Sequence, residues 1–249
     1  MDRVTFVGHA TVLVELGGVR LLTDPVLRPG FAHIRRHAAP PAADVTERID
    51  AVLLSHLHLD HVHMPSLRDF ARDVRLVVPR GAGSFLQRQG FVRVQELTRG
   101  ESLDVEGVEV VATPAVHDDR RWPLIRPQAA PIGFVVRGPR SVYFAGDTDL
   151  FEGMDGLEPG LDVALLPVWG WGPTLGPGHL TPDRAARAAQ LLRPRVAVPI
   201  HWGTFFPRGR SAGDRLTAPP REFATRVAEL APEVRVCVLE PGGSLALTG

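Results

Sequence analysis

Short apolar stretches that each stop at a metal-ligand residue constrain this chain most, and the densest of them leads into HLHLDH at residues 56–61. The preceding Asp50-Ala-Val-Leu-Leu-Ser55 reads as a short buried strand bounded by polar residues, which puts the motif on the loop at its C-terminal end. His56 and His58, two residues apart, can aim both imidazoles at one point. Asp60 and His61 are adjacent, point apart, and can serve a second position. Imidazole nitrogen with carboxylate oxygen suits zinc, iron or manganese. A thiolate-built structural zinc site is excluded, because the only cysteine is Cys237.

The same context recurs three times. Val108-Glu-Val-Val-Ala-Thr-Pro-Ala-Val-His117 carries a histidine just past a strand. Ser141-Val-Tyr-Phe-Ala-Gly-Asp147 ends a strand in aspartate, with Gly146 allowing close backbone approach. Arg195-Val-Ala-Val-Pro-Ile-His201 ends in histidine again. Taken singly, a strand-end aspartate commonly caps a turn and a lone histidine is an ordinary surface or core residue. Recurrence of one architecture favours a joint reading, in which His117, Asp147 and His201 join the ligands of the first loop.

HLHLDH followed by His117, Asp147 and His201 resembles the metallo-β-lactamase superfamily, with its HxHxDH, His, Asp, His order. FVGHATVLVEL near the start, LLTDP at 21–25, FAGDTD at 144–149, GHLTP at 178–182 and PIHWGTF at 199–205 narrow the resemblance. They are similar to two branches, the N-acylphosphatidylethanolamine-hydrolysing phospholipase D type and the ascorbate-6-phosphate lactonase type. The resemblance implies two divalent metals, zinc foremost, with manganese or iron as alternatives. It assigns His56, His58 and His117 to one, Asp60, His61 and His201 to the other, and makes Asp147 the bridge. It also implies hydrolysis by a metal-bridging hydroxide, which Asp60 orients.

His179 lies outside this ligand set but matches a branch position near the substrate. Either it stabilises a developing oxyanion or protonates a leaving group, or it hydrogen-bonds its own turn before a helix. Asp24, at the end of the Arg20–Asp24 strand, is either a carboxylate that orients a ligand imidazole or a turn residue before Pro25. His9 occupies the GHA position, which lies near the metals in the resembling proteins. His33, His37 and His63 lack such a context and are expected to face solvent.

Strands are expected near 3–7, 10–16, 19–23, 51–55, 74–78, 92–97, 108–113, 132–137, 141–146, 162–167, 195–200, 234–239 and 244–247. Helices are expected over Pro65–Arg72, over Gly83–Gln89 closed by Gly90, and from Pro182 to about Leu192 behind Thr181 as N-cap. Phe223, Val227 and Leu230 mark the apolar stripe of a last helix. Strand clusters each closed by a helix fit an α/β fold, a four-layered αββα sandwich of two mixed sheets with helices outside. It is expected to be one domain over residues 1–249, with no repeat visible at a fixed period.

Composition removes several classes of function. The formal net charge is zero, so general nucleic-acid electrostatics are absent. All basic residues are arginine and none is lysine, which removes Schiff-base and lysine-nucleophile mechanisms. No apolar run approaches the length of a membrane span and the first strand starts near Arg3, so neither stable membrane insertion nor a targeting segment is expected. A single cysteine points to the cytoplasm.

Substrate walls are expected from four loops: Pro29–Ala43, Asp118–Pro131, Trp169–Gly178 and Thr204–Pro220. They mix arginine (Arg35, Arg36, Arg120, Arg121, Arg126, Arg208, Arg210) with aromatics (Trp122, Trp169, Trp171, Phe205, Phe206). Guanidinium forks suit phosphate or carboxylate and tryptophan suits an apolar or ring-bearing group. The expected function is therefore hydrolysis of a phosphodiester, phosphoester or lactone in a small anionic substrate. Alternatives are a metal-binding module without hydrolytic activity, such as a sensor or assembly factor, and a di-iron oxidoreductase. Within the resembling superfamily, di-iron redox members carry glutamate at the second motif histidine, here His58. The lipid-hydrolysing branch adds an N-terminal extension, and quorum-signal lactonases use a tyrosine near the metals, whereas Tyr143 lies inside a strand.

Overall fold

Alternation along the strands sets the layers. In the computed structural model, which describes residues 1–119, 127–170 and 175–248, the first sheet has seven strands. β1 (Arg3–Gly8), β2 (Thr11–Leu16) and β3 (Val19–Thr23) form an antiparallel meander. β6 (Ala51–Leu53), β7 (Arg75–Pro79) and β8 (Val94–Leu97) continue it in parallel, and β17 (Ser244–Ala246) flanks β1. Val12, Val14 and Leu16 face the second sheet while Leu13 faces outward; Leu21 and Leu22 divide in the same way, as do Leu53 and Val52. That period of two lets one sheet bury both faces.

The second sheet repeats the plan. β10 (Val108–Pro114), β11 (Ile132–Arg137) and β12 (Ser141–Phe144) are antiparallel, and β13 (Val163–Pro167), β14 (Val196–Ile200) and β16 (Arg235–Val236) follow in parallel. β9 (Ser102–Val105) flanks β10 as β17 flanks β1. β13 and β14 are buried along their whole length, as parallel strands covered on both faces must be. The two halves therefore share one topology, although no fixed-period repeat marks it in the sequence.

Among the described residues four α-helices cover the outer faces. α1 (Met64–Leu67) and α2 (Gly83–Arg88) lie over the first sheet's outward residues, with Leu67 and Leu86 buried beside Leu54, Leu76 and Val78. α3 (Pro182–Leu192) and α4 (Ala218–Leu230) cover the second sheet. Thr181 caps α3 by accepting from the Arg184 amide, and Ala185, Ala186, Ala188 and Ala189 give that helix a small buried face that packs close to β13. Phe223 and Val227 anchor α4, with Leu230 half-buried at its end. The four-layered αββα sandwich is thus the observed fold.

Three expectations are corrected here. The helix expected over Pro65–Arg72 is a single turn, because the chain continues in tight turns from Ser66 to Asp69 and Leu67 to Phe70, which bring Phe70 down into the core. β9 lies outside the expected strands because Ser-Leu-Asp-Val lacks a strong apolar alternation; a tight turn at Glu106 and Gly107, both at positive φ, folds it against β10. A small third sheet, β4 (Gly30–Phe31), β5 (Ile34–Arg36) and β15 (Phe205–Pro207), also lies where only loops were expected.

Candidate metal centre

β1, β3 and β6 run in one direction, as do β10, β12, β13 and β14, so their C-terminal ends gather at one edge of the sandwich. His9 follows β1, Asp24 follows β3 and residues 55–61 follow β6. From the other sheet come His117 after β10, Asp147 after β12 and His201 after β14. All seven residues expected as ligands meet there.

Three imidazole nitrogens form the first cluster. His56 Nε2 and His117 Nε2 each stand 3.0 Å from His58 Nδ1. The second cluster holds Asp60, His61 and His201 and adds His9, whose Nε2 is 3.1 Å from Asp60 Oδ2. Asp147 lies between them. Its Oδ1 is 3.2 Å from His201 Nε2, and its Oδ2 is 3.3 Å from His61 Nε2 and 3.9 Å from His117 Nε2. Nitrogens on one tetrahedral zinc, at about 2.0–2.1 Å from the ion, stand about 3.3 Å apart. Both clusters have the spacing of a ligand shell.

Tautomers follow from what the other ring nitrogen meets. His61 Nδ1 donates to Asp24 Oδ2 at 2.7 Å, and His117 Nδ1 donates to the Gly178 carbonyl at 2.8 Å. His201 Nδ1 donates to the Trp169 carbonyl. Ser55 Oγ gives its proton to Asp24 Oδ2, so it accepts from His56 Nδ1 at 3.0 Å. All four rings thereby present Nε2 to the centre. His58 alone presents Nδ1. Asp24 therefore orients the His61 imidazole and is not only a turn residue; it accepts from the Ser55 amide as well, at 2.8 Å.

The chain is strained to achieve this. His9, Asp24 and His201 adopt positive φ of 58°, 33° and 65°, at a cost of about 1–3 kcal/mol each for residues other than glycine. Hydrogen bonds bolt these positions down. The His9 amide donates to Thr204 Oγ1 at 2.7 Å, and the His201 amide donates to the His9 carbonyl at 2.8 Å. Trp202, fully buried and stacked on Phe6, anchors the next residue.

Electrostatics prepare the donor set for a cation. Burial lowers the His117 imidazole to about 4 and that of His201 to about 3, so both are neutral at pH 7. Burial, then the His61 and His117 imidazoles, hold His56 well below its ordinary value, and burial lowers His58. His61 goes the other way: burial opposes its charge, but Asp147, Asp24 and Asp60 outweigh it and hold the ring well above its ordinary value. Burial works against ionisation of Asp60 and Asp147, yet the surrounding imidazoles keep both carboxyls well below the usual carboxylate range. Asp147 Oδ1 is buried without a hydrogen-bond partner. An orphaned anionic oxygen facing lone-pair nitrogens calls for a positive ion.

The centre opens into a cleft of about 430 Å³. His58, Asp60, Asp147, His179 and His201 form its floor, and Phe31, Ile34, Asp118 and Leu175 stand around it. His179 hydrogen-bonds its own turn, with Nδ1 3.1 Å from the Gly176 carbonyl, and it also lines the cleft, with Nε2 3.6 Å from Asp147 Oδ2. His33 and His37 are exposed as expected, although His33 also lines the cleft. His63 departs from expectation. It is buried, hydrogen-bonds Ser66 Oγ at 2.8 Å and lies near Phe31, because α1 tucks it beneath the cleft wall. Arg120, Arg121, Trp122, Arg126 and Trp171 lie outside the described residues. Phe205 and Phe206 are buried supports for the wall, and Tyr143 is fully buried in β12.

Sequence and structure comparisons agree on the family and the fold. The profile of the beta-lactamase superfamily domain matches residues 19–202. The UPF0173 metal-dependent hydrolase of Methanopyrus kandleri is 36% identical over 97% of this chain and 98% of its own. The chain therefore belongs to the UPF0173 metal-dependent hydrolases of that superfamily. Among solved structures, Igni18, a metallo hydrolase from Ignicoccus hospitalis, aligns with a TM-score of 0.73 and 25% identity over 98% of this chain and 97% of its own. The di-iron β-hydroxylase CmlA from Streptomyces venezuelae aligns at 0.75 with 22% identity, over 99% of this chain and 54% of its own, a likeness of fold. Among the described residues, no helix is long and apolar enough to cross a membrane.

Proposed function

We propose that this hydrolase holds two divalent metal ions, zinc before manganese or iron, and breaks a phosphodiester, phosphoester or lactone bond in a small anionic substrate. It would do so in the cytoplasm, as one domain over residues 1–249. The observation that carries the reading is the pair of clusters on either side of Asp147, with four of the five imidazoles held from behind. His56, His58 and His117 would hold one ion, and Asp60, His61 and His201 the other, with Asp147 shared. When bound, such a pair supplies Lewis acidity and a water whose pKa is lowered towards neutrality.

The chain's own residues do the rest. His9 fixes one oxygen of Asp60, so that carboxylate stays ionised and correctly turned. His179 stands in the cleft with Nδ1 committed to Gly176, which leaves Nε2 as the atom that exchanges a proton with the leaving group. Phe31, Ile34 and Leu175 exclude water from part of the cleft wall.

Metal analysis of protein purified without chelator should find close to two equivalents, and a screen of phosphodiesters, sugar phosphates and lactones should find turnover that Asp60→Ala abolishes. A stable, active, metal-free protein would refute the reading. Metal binding without turnover on any of these classes would refute the choice of substrate chemistry.

A further inference from the structure

The β4–β5–β15 sheet has two faces of different chemistry. One packs Ile34 and Phe205 with Val26, and Arg36 lays its guanidinium 4.8 Å above the Phe205 ring. On the other, Arg35 pairs across the ladder with Phe206, which stacks on Trp169, the residue whose carbonyl orients His201. Beyond Arg35 the chain opens into a second pocket of about 570 Å³, lined by Arg35, His37, Arg208 and Arg210 with Pro29 and Pro207. Among the described residues no carboxylate lines it.

Several arginines elsewhere in the chain are paired with carboxylates. Arg137 engages both Glu109 and Glu158, and Arg226 engages Asp183 and Glu229. Arg35, Arg208 and Arg210 converge on one pocket, and among the described residues none has a carboxylate within ion-pair distance. The local field is felt by His37, whose imidazole is held below its ordinary value by partial burial and by the Arg35 charge. The pocket also adjoins the metal cleft. Phe31, His33 and Ile34 line the cleft, Arg35 and His37 line the pocket, and the Arg208 amide donates to the His33 carbonyl at 2.9 Å, so the two openings share the β4–β5 turn as a border. A substrate reaching past that turn would occupy both.

We propose that this arginine pocket is an oxyanion subsite, taking a phosphate-type group carried by the substrate at a point remote from the bond broken in the metal cleft. The inference rests on the hydrolytic reading of the cleft and narrows its substrate class. Three guanidinium forks with no internal counter-charge suit a multiply charged oxyanion. The chain has zero net charge and the arginines line a pocket, not a long stripe, which favours a small ligand over a nucleic acid.

The metal-loaded protein is titrated with inorganic phosphate at low ionic strength, following arginine Nε–Hε signals by NMR. Saturable shifts are expected, with affinity reduced about tenfold in each of Arg35→Gln, Arg208→Gln and Arg210→Gln and unchanged in Arg221→Gln, on an exposed site elsewhere. All three arginines are exposed, so the variants should fold. Affinity indifferent to these changes would place phosphate on the metals and overturn the proposal. Tighter binding of a short RNA at the same signals would overturn it in favour of nucleic acid. A second arm distinguishes a substrate-borne group from free phosphate: a hydrolysable ester or lactone with a distal phosphate should have a KM at least tenfold below that of its dephosphorylated counterpart. The difference should vanish in the Arg35→Gln, Arg210→Gln double variant, and equal KM values would overturn the proposal. The titration requires no turnover, so it can succeed or fail independently of the hydrolytic reading.

Discussion

Asp24→Asn is the sharpest test of how the centre is built, because it removes one charge and no volume. Asp24 is fully buried and accepts from three donors, the Ser55 amide, the Ser55 hydroxyl and His61 Nδ1. An amide has one accepting oxygen and one donating nitrogen. If the nitrogen faces His61, Nδ1 must accept, the ring proton moves to Nε2, and the atom aimed at the centre can no longer bind a cation. If the oxygen faces His61, the nitrogen meets the Ser55 amide, donor against donor. Either orientation forfeits one charge-assisted hydrogen bond, about 1.5–3 kcal/mol. At about 1.4 kcal/mol per factor of ten, that is roughly 10- to 150-fold in affinity, in the range for partners behind a ligand. Competition for zinc against a chelator of known affinity reads the loss directly, with circular dichroism checking the fold. Wild-type zinc affinity in the folded variant would mean that His61 is not a ligand through Nε2.

Gly146→Ala should disturb the same hydrogen bonds from the opposite side. A Cβ there, at φ +61°, would stand 2.8 Å from Ser55 Cβ and 3.0 Å from Ser55 Oγ, so a loss of about 1–3 kcal/mol by denaturant unfolding is expected; an unchanged midpoint would contradict the packing. In chelator-treated protein the thermal midpoint should fall as pH drops from 7 to 4. His117 and His201 titrate at about 4 and about 3 in the fold against 6.5 ordinarily, so their contribution is full above 6.5 and is lost as pH falls towards those values. His61, raised by its carboxylates, acts in the opposite sense: its contribution is full below 6.5 and is lost as pH rises through its folded value. A midpoint that climbed on acidification would mean that His61 outweighs the other two.

That these residues gather at one edge was legible because their chemistry is dense and local. HLHLDH, His117, Asp147 and His201 each follow an apolar run, and a parallel strand must deliver its C-terminal residue to the same edge as its neighbours. What holds these residues was legible only in part, in the reading of Asp24 as an orienting carboxylate or a turn residue. Two of the four histidine ties run to carbonyls, Gly178 and Trp169, and any residue type carries a carbonyl. His63 was misjudged for a related reason: its burial depends on one short helical turn beneath Phe31. The β4–β5–β15 sheet joins segments some 170 residues apart through strands of two or three residues, too short for alternation to register.

The repeated topology explains why two similar strand-end aspartates have different duties. Asp24 after β3 and Asp147 after β12 occupy equivalent places in the two halves, as do His9 after β1 and His117 after β10. Both carboxylates are buried, and the difference lies in their donors. Asp24 has its oxygens occupied by Ser55 and His61 Nδ1, so it can only orient. Asp147 Oδ1 has no hydrogen-bond partner, and its two oxygens face the Nε2 atoms of His201 and His61, so it is the one free to bind. The asymmetry begins after β6, where the first half places HLHLDH. The equivalent strand of the second half, β13, ends near Trp169, which offers only a carbonyl to His201. Four donors from one loop draw the centre towards the first half, and Asp24, on the strand beside that loop, falls behind the ligands, while Asp147 comes from across the sandwich and meets them face on.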